Sequence, residues 1–167
     1  FYSKEEAEAI QKEKGYTFVE DSGRGYRRVV PSPKPIDIIE KNVIRHLVDN
    51  DTLVIAVGGG GIPVIKTDKI ELLEGVAAVI DKDRSAALLA REIDADILLI
   101  LTAVDKVCLN YNTPEQITLD SLSVEDVNKY IECGHLAKGS MLLKAEAWMG
   151  FVKGNYGKNA ITGSLEK

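Results

Sequence analysis

From Ile36 onward the apolar positions Ile36, Ile39, Val43 and Leu47 recur three to four residues apart and stop near Asp49-Asn50-Asp51, the rhythm of a helix with one buried face. Thr52 to Val57, "TLVIAV", follows without alternation, and a continuous β-branched run predicts a fully buried strand. The same two rhythms predict helices over "RSAALLARE" (84–92), "SVEDVNKYIE" (123–132) and "SMLLKAEAWMGFV" (140–152). They also predict a second apolar strand over "DILLIL" (96–101) and shorter strands over "IPVI" (62–65), "KIELL" (69–73) and "NAIT" (159–162). Ser123 with Asp126 three residues later opens one of these helices. Near the N-terminus Ser3 and Glu6 form a capping-box pattern for a helix over 3–14 that Gly15 ends. "YTFVE" and "YRRVV" then read as two short strands around the glycine-punctuated turn Asp21–Gly25. Pro31 to Pro35, "PSPKP", admits neither helix nor ladder and marks a stiff boundary. The expected organisation is a small appended lobe over residues 1–30 and an α/β portion over 31–167. Non-alternating strands between helices imply a parallel sheet covered on both faces.

Composition narrows the class. The 167 residues are 45% hydrophobic, enough for one core of ordinary size. Lys and Arg (21) are outnumbered by Asp and Glu (26) and scattered among them, and the net charge of −5 disfavours a nucleic-acid surface. No run reaches the roughly 18 to 20 apolar residues of a membrane span, and the basic-then-apolar order of a signal peptide is missing, so a cytoplasmic location is expected. Cys108 and Cys133 fit free thiols. Cys133 and His135 are two candidate ligands where structural zinc takes four, so no metal is expected on the protein there. The chain opens on Phe1 with a helix signal almost at once, and the expectation is that it begins inside a larger protein.

The chemistry concentrates where strands stop. Gly58-Gly59-Gly60-Gly61 follows the strongest apolar run directly. Such a run is either a flexible surface loop or, at the carboxyl edge of an α/β sheet, a set of bare backbone N–H groups that an anion can approach without a Cβ in the way. It is not a Walker loop, because Ile62-Pro63 stands where Lys and Ser or Thr would open a helix. It is not a dinucleotide fingerprint either, whose third glycine would fall at Pro63. Asp81, Lys82 and Asp83 lie between an apolar run and a helix, where Asp83 serves either as the helix cap or as a site carboxylate. Thr102, Asp105 and Lys106 follow the second apolar strand. Met141 and Lys144 sit near the start of a helix, where a lysine opposes the macrodipole unless an anion is bound. A glycine run, two Asp-Lys elements and a helix-start lysine at one sheet edge suit phosphoryl transfer, which depends on positioning and charge neutralisation.

Taken in order, "GRGYRRVVPSPKP", "AVGGGGIPV", "VIDKDRSAALLA", "LLILTAVDKV" and "GHLAKGSM..K" resemble carbamate kinases, within the amino-acid kinase family, from Phe1 to Lys167. The first stretch is the specific one, since acetylglutamate, aspartate and uridylate kinases share the glycine, Asp and Lys themes without it. The resemblance implies a three-layer αβα sandwich with a mainly parallel central sheet. It implies an ATP-dependent phosphotransferase with a carboxyl-type acceptor, interconverting ATP and carbamate with ADP and carbamoyl phosphate, typically toward ATP in arginine fermentation. Mg²⁺ held mainly by the nucleotide phosphates and a homodimer are implied as well. By position, Gly58, Gly59, Gly60 and Gly61 correspond to part of the loop cradling the carbamoyl phosphate or the transferring phosphoryl group. Asp83 corresponds to the aspartate that orients catalytic lysines, and Lys144 to the lysine that reaches the phosphate from the nucleotide side. Thr102, Asp105, Lys106 and Met141 correspond to nucleotide contacts. Leu143 stands where the family usually reads Pro. Family members run to nearly twice this length, and their N-terminal half, with a Gly-Gly-Asn loop and another lysine, has no counterpart in this sequence, so the resemblance implies one wall of an active site with an unpaired ladder edge and apolar faces lacking cover. The alternatives are a non-catalytic nucleotide-binding module, or a relative with another small acceptor.

Overall fold

A computed structural model describes residues 1–21, 23–67, 72–102, 106–110, 113–136, 140–153 and 157–164. In chain order the elements are α1 (Lys4–Lys14), β1 (Thr17–Glu20), β2 (Tyr26–Val29), α2 (Lys41–Asp49), β3 (Val64–Lys66), β4 (Leu73–Gly75), α3 (Lys82–Glu92), β5 (Ile97–Thr102), β6 (Val107–Leu109), β7 (Ile117–Leu119), α4 (Val124–Glu132), α5 (Ser140–Val152) and β8 (Asn159–Ser164). They divide into two compact units, residues 1–33 with 62–79, and residues 34–61 with 80–167.

The first unit is built from local signals. Ser3 accepts from the Glu6 backbone and Glu6 returns a bond to the Ser3 backbone, while Gly15 closes α1 at φ 68°. The β1–β2 hairpin pairs antiparallel from Thr17↔Val29 to Glu20↔Tyr26. A second hairpin, β3–β4, pairs Val64↔Gly75 through Lys66↔Leu73.

The second unit carries the core. The strands β5 and β8 run parallel, Ile97 opposite Asn159 and Thr102 opposite Ser164, as two separated apolar runs predict. Leu98 and Ile100 turn to one face and pack with Ala87 and Ala90 of α3 and with Ala147 and Phe151 of α5. Ile97, Leu99, Leu101 and Ile161 project to the opposite face and are exposed. Beside this core the hairpin β6–β7 and α4 bury Val107, Leu109 and Val127 with Leu136 and with Ala145 of α5. Both clusters use α5, which is why its sequence is apolar nearly all the way round.

Three expectations change. Residues 52–57 form no strand, and Leu53 (93 % exposed) and Ile55 (95 % exposed) face away from any core. Apolarity declares a need for burial, but a ladder also needs a neighbour, and no described strand lies beside this run. The helix expected from Ile36 begins at Lys41, because Pro35 precedes it, Glu40 makes no side-chain cap, and Ile36 gains no burial. The β6–β7 hairpin was not foreseen, its strands being three residues each and without clear alternation.

Candidate active site

Two helices of the second unit frame the site. Asp81 caps α3, its side chain accepting from the Asp83 and Arg84 backbone amides at 3.0 and 3.1 Å. The cap role left open for Asp83 is therefore taken by Asp81. Asp83 instead turns to α5, where its Oδ2 accepts from Lys144 Nζ at 2.7 Å. The two side chains are only 11 % and 12 % exposed, so the pair is nearly withdrawn from solvent. Removing either member would leave an uncompensated charge there. Leu143, in the place of the usual proline, does not prevent this contact. One residue further along α3, Arg84 bonds Glu146 of α5, and Lys34 approaches the same carboxylate at 3.9 Å. Two ion pairs of opposite polarity thus join the helices within three residues of Lys144.

The glycine run lies against the entry to α3. Val57 accepts from the Gly60 N–H at 2.9 Å, closing a tight turn through Gly58 and Gly59. Val57 itself is at φ 48°, an uncommon region for a β-branched residue. The Gly60 N–H is used inside this turn, whereas no bond is found for those of Gly58, Gly59 and Gly61 among the described residues. Gly60 and Gly61 have φ 110° and 88°. A Cβ at Gly60 would fall 2.0 Å from the Ile80 carbonyl oxygen, so this glycine is required by close approach. A Cβ at Gly58 or Gly59 would meet nothing within 4 Å. Ser85, 1 % exposed on α3, donates its hydroxyl to the Gly60 carbonyl at 2.8 Å.

The nucleotide-side candidates are dispersed. Thr102 ends β5 at the carboxyl edge, half-buried. Met141 lies in the first turn of α5 and packs in part against the cluster around Val107 and Val127. Lys106 precedes β6 and pairs with Asp120, whose carboxyl is held below its ordinary range by that hydrogen bond. Asp105 lies outside the described residues. The geometry therefore brings Asp83 to Lys144 directly and fixes Gly60 to the helix carrying Asp83. It gives no contact between Lys106 and this pair. Ser85, Arg84 and Glu146 were missed by sequence reasoning. Ser85 had a signal, since a hydroxyl at 85 falls on the helix stripe continued by Leu88 and Leu89.

An αβ unit with a parallel strand pair, a glycine turn docked on a helix start and a buried Asp–Lys pair matches a known pattern: residues 4–161 fit the amino acid kinase family, and the chain belongs to it. Among curated relatives it is 58% identical over 165 residues to a carbamate kinase of Clostridium perfringens, covering 99% of this chain and 52% of that protein. It is 56% identical to carbamate kinase 3 of Staphylococcus aureus, covering 53% of it. The solved carbamate kinase of Giardia lamblia bound to AMP-PNP superposes with a TM-score of 0.89 at 41% identity, over 99% of this chain and 52% of that one. The chain thus spans about half the length of the relatives it matches, and its αβα amino-acid kinase fold is that of their corresponding part.

Proposed function

We propose that this chain forms the nucleotide-side wall of a carbamate kinase, which moves a phosphoryl group reversibly between ATP and carbamate. Toward ATP, an ADP β-phosphate oxygen attacks the phosphorus of carbamoyl phosphate, the bond from phosphorus to the carbamoyl oxygen breaks, and carbamate leaves. The observation that carries this reading is the 2.7 Å Lys144–Asp83 pair, nearly dry, whose carboxylate stands on α3, the helix to which the glycine turn is fastened. In that setting Lys144 offsets charge on the migrating phosphoryl oxygens, and Asp83 keeps its ammonium aimed. The Gly58, Gly59 and Gly61 amides receive the phosphate oxygens. Nucleotide contact is assigned to Thr102, Asp105, Lys106 and Met141, a role supported by the likeness to a carbamate kinase bound to AMP-PNP. Mg²⁺ fits as a passenger on the nucleotide phosphates, because Asp83 is engaged by Lys144. It would supply further neutralisation of the phosphate charge. The resemblance further supports a cytoplasmic homodimer working in arginine breakdown. No described helix is long and apolar enough to cross a membrane.

The test incubates the natural polypeptide containing this chain with ADP, Mg²⁺ and carbamoyl phosphate and follows ATP. Lys144→Ala is expected to lower turnover by about 10²-fold or more while far-UV circular dichroism is unchanged. Turnover within about threefold of wild type would show that Lys144 does not neutralise the migrating charge. Nucleotide binding without ATP formation would leave the non-catalytic module as the better reading.

A further inference from the structure

Ser85 is the one buried hydroxyl on the core stripe of α3, at a position where helix periodicity calls for an apolar side chain. A hydroxyl there is unfavourable unless bonded, and its partner is the Gly60 carbonyl, 25 residues away. The residues leading into the glycine run, 52–57, pair with no strand among the described residues. What fastens this loop to α3 is the Ser85 bond together with the close backbone approach of Gly60 to Ile80.

That bond has a directional consequence. The peptide joining Gly60 to Gly61 is planar and trans, so its C=O and its N–H point opposite ways. With the Gly60 carbonyl drawn toward the helix, the Gly61 N–H is turned away from it, and Gly61 is exposed. At φ 110° and 88° these two glycines have few steric limits on peptide rotation, so the plane would turn easily without an anchor. The same helix carries Asp83 two residues earlier. The hydroxyl therefore also sets the loop relative to the Asp83–Lys144 pair.

We propose that Ser85 is a positioning residue, whose hydroxyl locks the Gly60–Gly61 peptide so that the Gly61 N–H is presented to the phosphoryl group of an acyl phosphate. The assignment rests on the phosphoryl-transfer reading above. The Ser85 hydroxyl is engaged by the Gly60 carbonyl and acts through the loop.

In the natural polypeptide, Ser85→Ala is expected to raise KM for carbamoyl phosphate about tenfold, the effect of one hydrogen bond of ordinary net strength, with KM for ADP within about twofold of wild type. Ser85→Cys, close in size and with a weak S–H donor, is expected to recover part of that loss. Equal changes in both KM values, no change in either, or a Cys variant no better than the Ala variant would overturn the assignment. A second readout does not depend on turnover. In protein labelled with ¹⁵N-glycine, the Gly61 amide resonance should move when wild type is titrated with inorganic phosphate, and should need about tenfold more phosphate in Ser85→Ala. If wild type forms no ATP, the functional reading fails, and this titration still decides the role of Ser85. A wild-type Gly61 resonance indifferent to phosphate overturns it alone. Should Ser85→Ala fail to fold, Ser85→Cys carries both comparisons.

Discussion

Gly59 and Gly60 are adjacent, yet a methyl group added to one meets open space and added to the other meets a carbonyl oxygen at 2.0 Å. Gly60→Ala, at φ 110°, should cost at least about 2 kcal/mol in urea denaturation, combining overpacking with a disfavoured backbone region. Gly59→Ala should leave stability within about 0.5 kcal/mol. Its effect is expected in KM for carbamoyl phosphate, since the added Cβ shields the turn's amides. Equal stability losses for the two variants would contradict the docked loop. The sequence made these glycines conspicuous as a group but could not rank them, because the ranking depends on Ile80, twenty residues on. Lys144 and Asp83 were legible as charges in unusual places. Their mutual contact was not, since it arises only when α3 and α5 pack. Ser85 was overlooked because a lone serine among alanines and leucines looks like filler until its partner is known.

Helices α3 and α5 are joined by Asp83–Lys144 and Arg84–Glu146, carboxylate to cation in one direction and then in the other. The second pair is partly exposed, 17 % and 29 % by side chain, so its coupling is modest. A double-mutant cycle of Arg84→Met and Glu146→Gln in urea should return about 1 kcal/mol, and a coupling indistinguishable from zero would make the pair incidental. A second tether joins the loop after α3 to the start of β8, where Lys158 bonds the Asp94 carboxylate and, at 2.8 Å, the Ala95 carbonyl. The Lys158 hydrogen bond holds the Asp94 carboxyl below its ordinary range. A carboxyl depressed in the folded state stabilises above its unfolded pKa, and that contribution fades as pH falls through the folded value. Wild type should therefore lose more thermal stability than Lys158→Met on acidification below about pH 4, read as Tm against pH. Parallel curves would rule the tether out as a source of acid sensitivity. At this scale the sequence was most informative. The caps at Ser3 and Ser123 involve residues three apart and are written locally. The late start of α2 escaped notice because spacing alone cannot say whether Ile36 finds anything to pack against.

Taken as a whole, the second unit presents a sheet with helices on one face and exposed Ile97, Leu99, Leu101 and Ile161 on the other. Residues 1–167 expressed alone should bind anilinonaphthalene sulfonate strongly, and Leu99→Glu should weaken that binding with secondary structure intact. Binding unaffected by Leu99→Glu would place the dye elsewhere. The parallel pairing of β5 with β8 was readable from two apolar runs. The bare face was expected only from the greater length of the family and not from the runs themselves, because an unbroken apolar run reads as buried on both sides whether or not both covers are present. The same ambiguity produced the strand expected over Thr52–Val57. Trp148, the sole tryptophan, sits on α5 against both core clusters, its indole N–H buried and without an acceptor among the described residues. Its emission is thus a built-in optical gauge of whether the two clusters remain joined, shifting to the red when water reaches the ring, with no label attached.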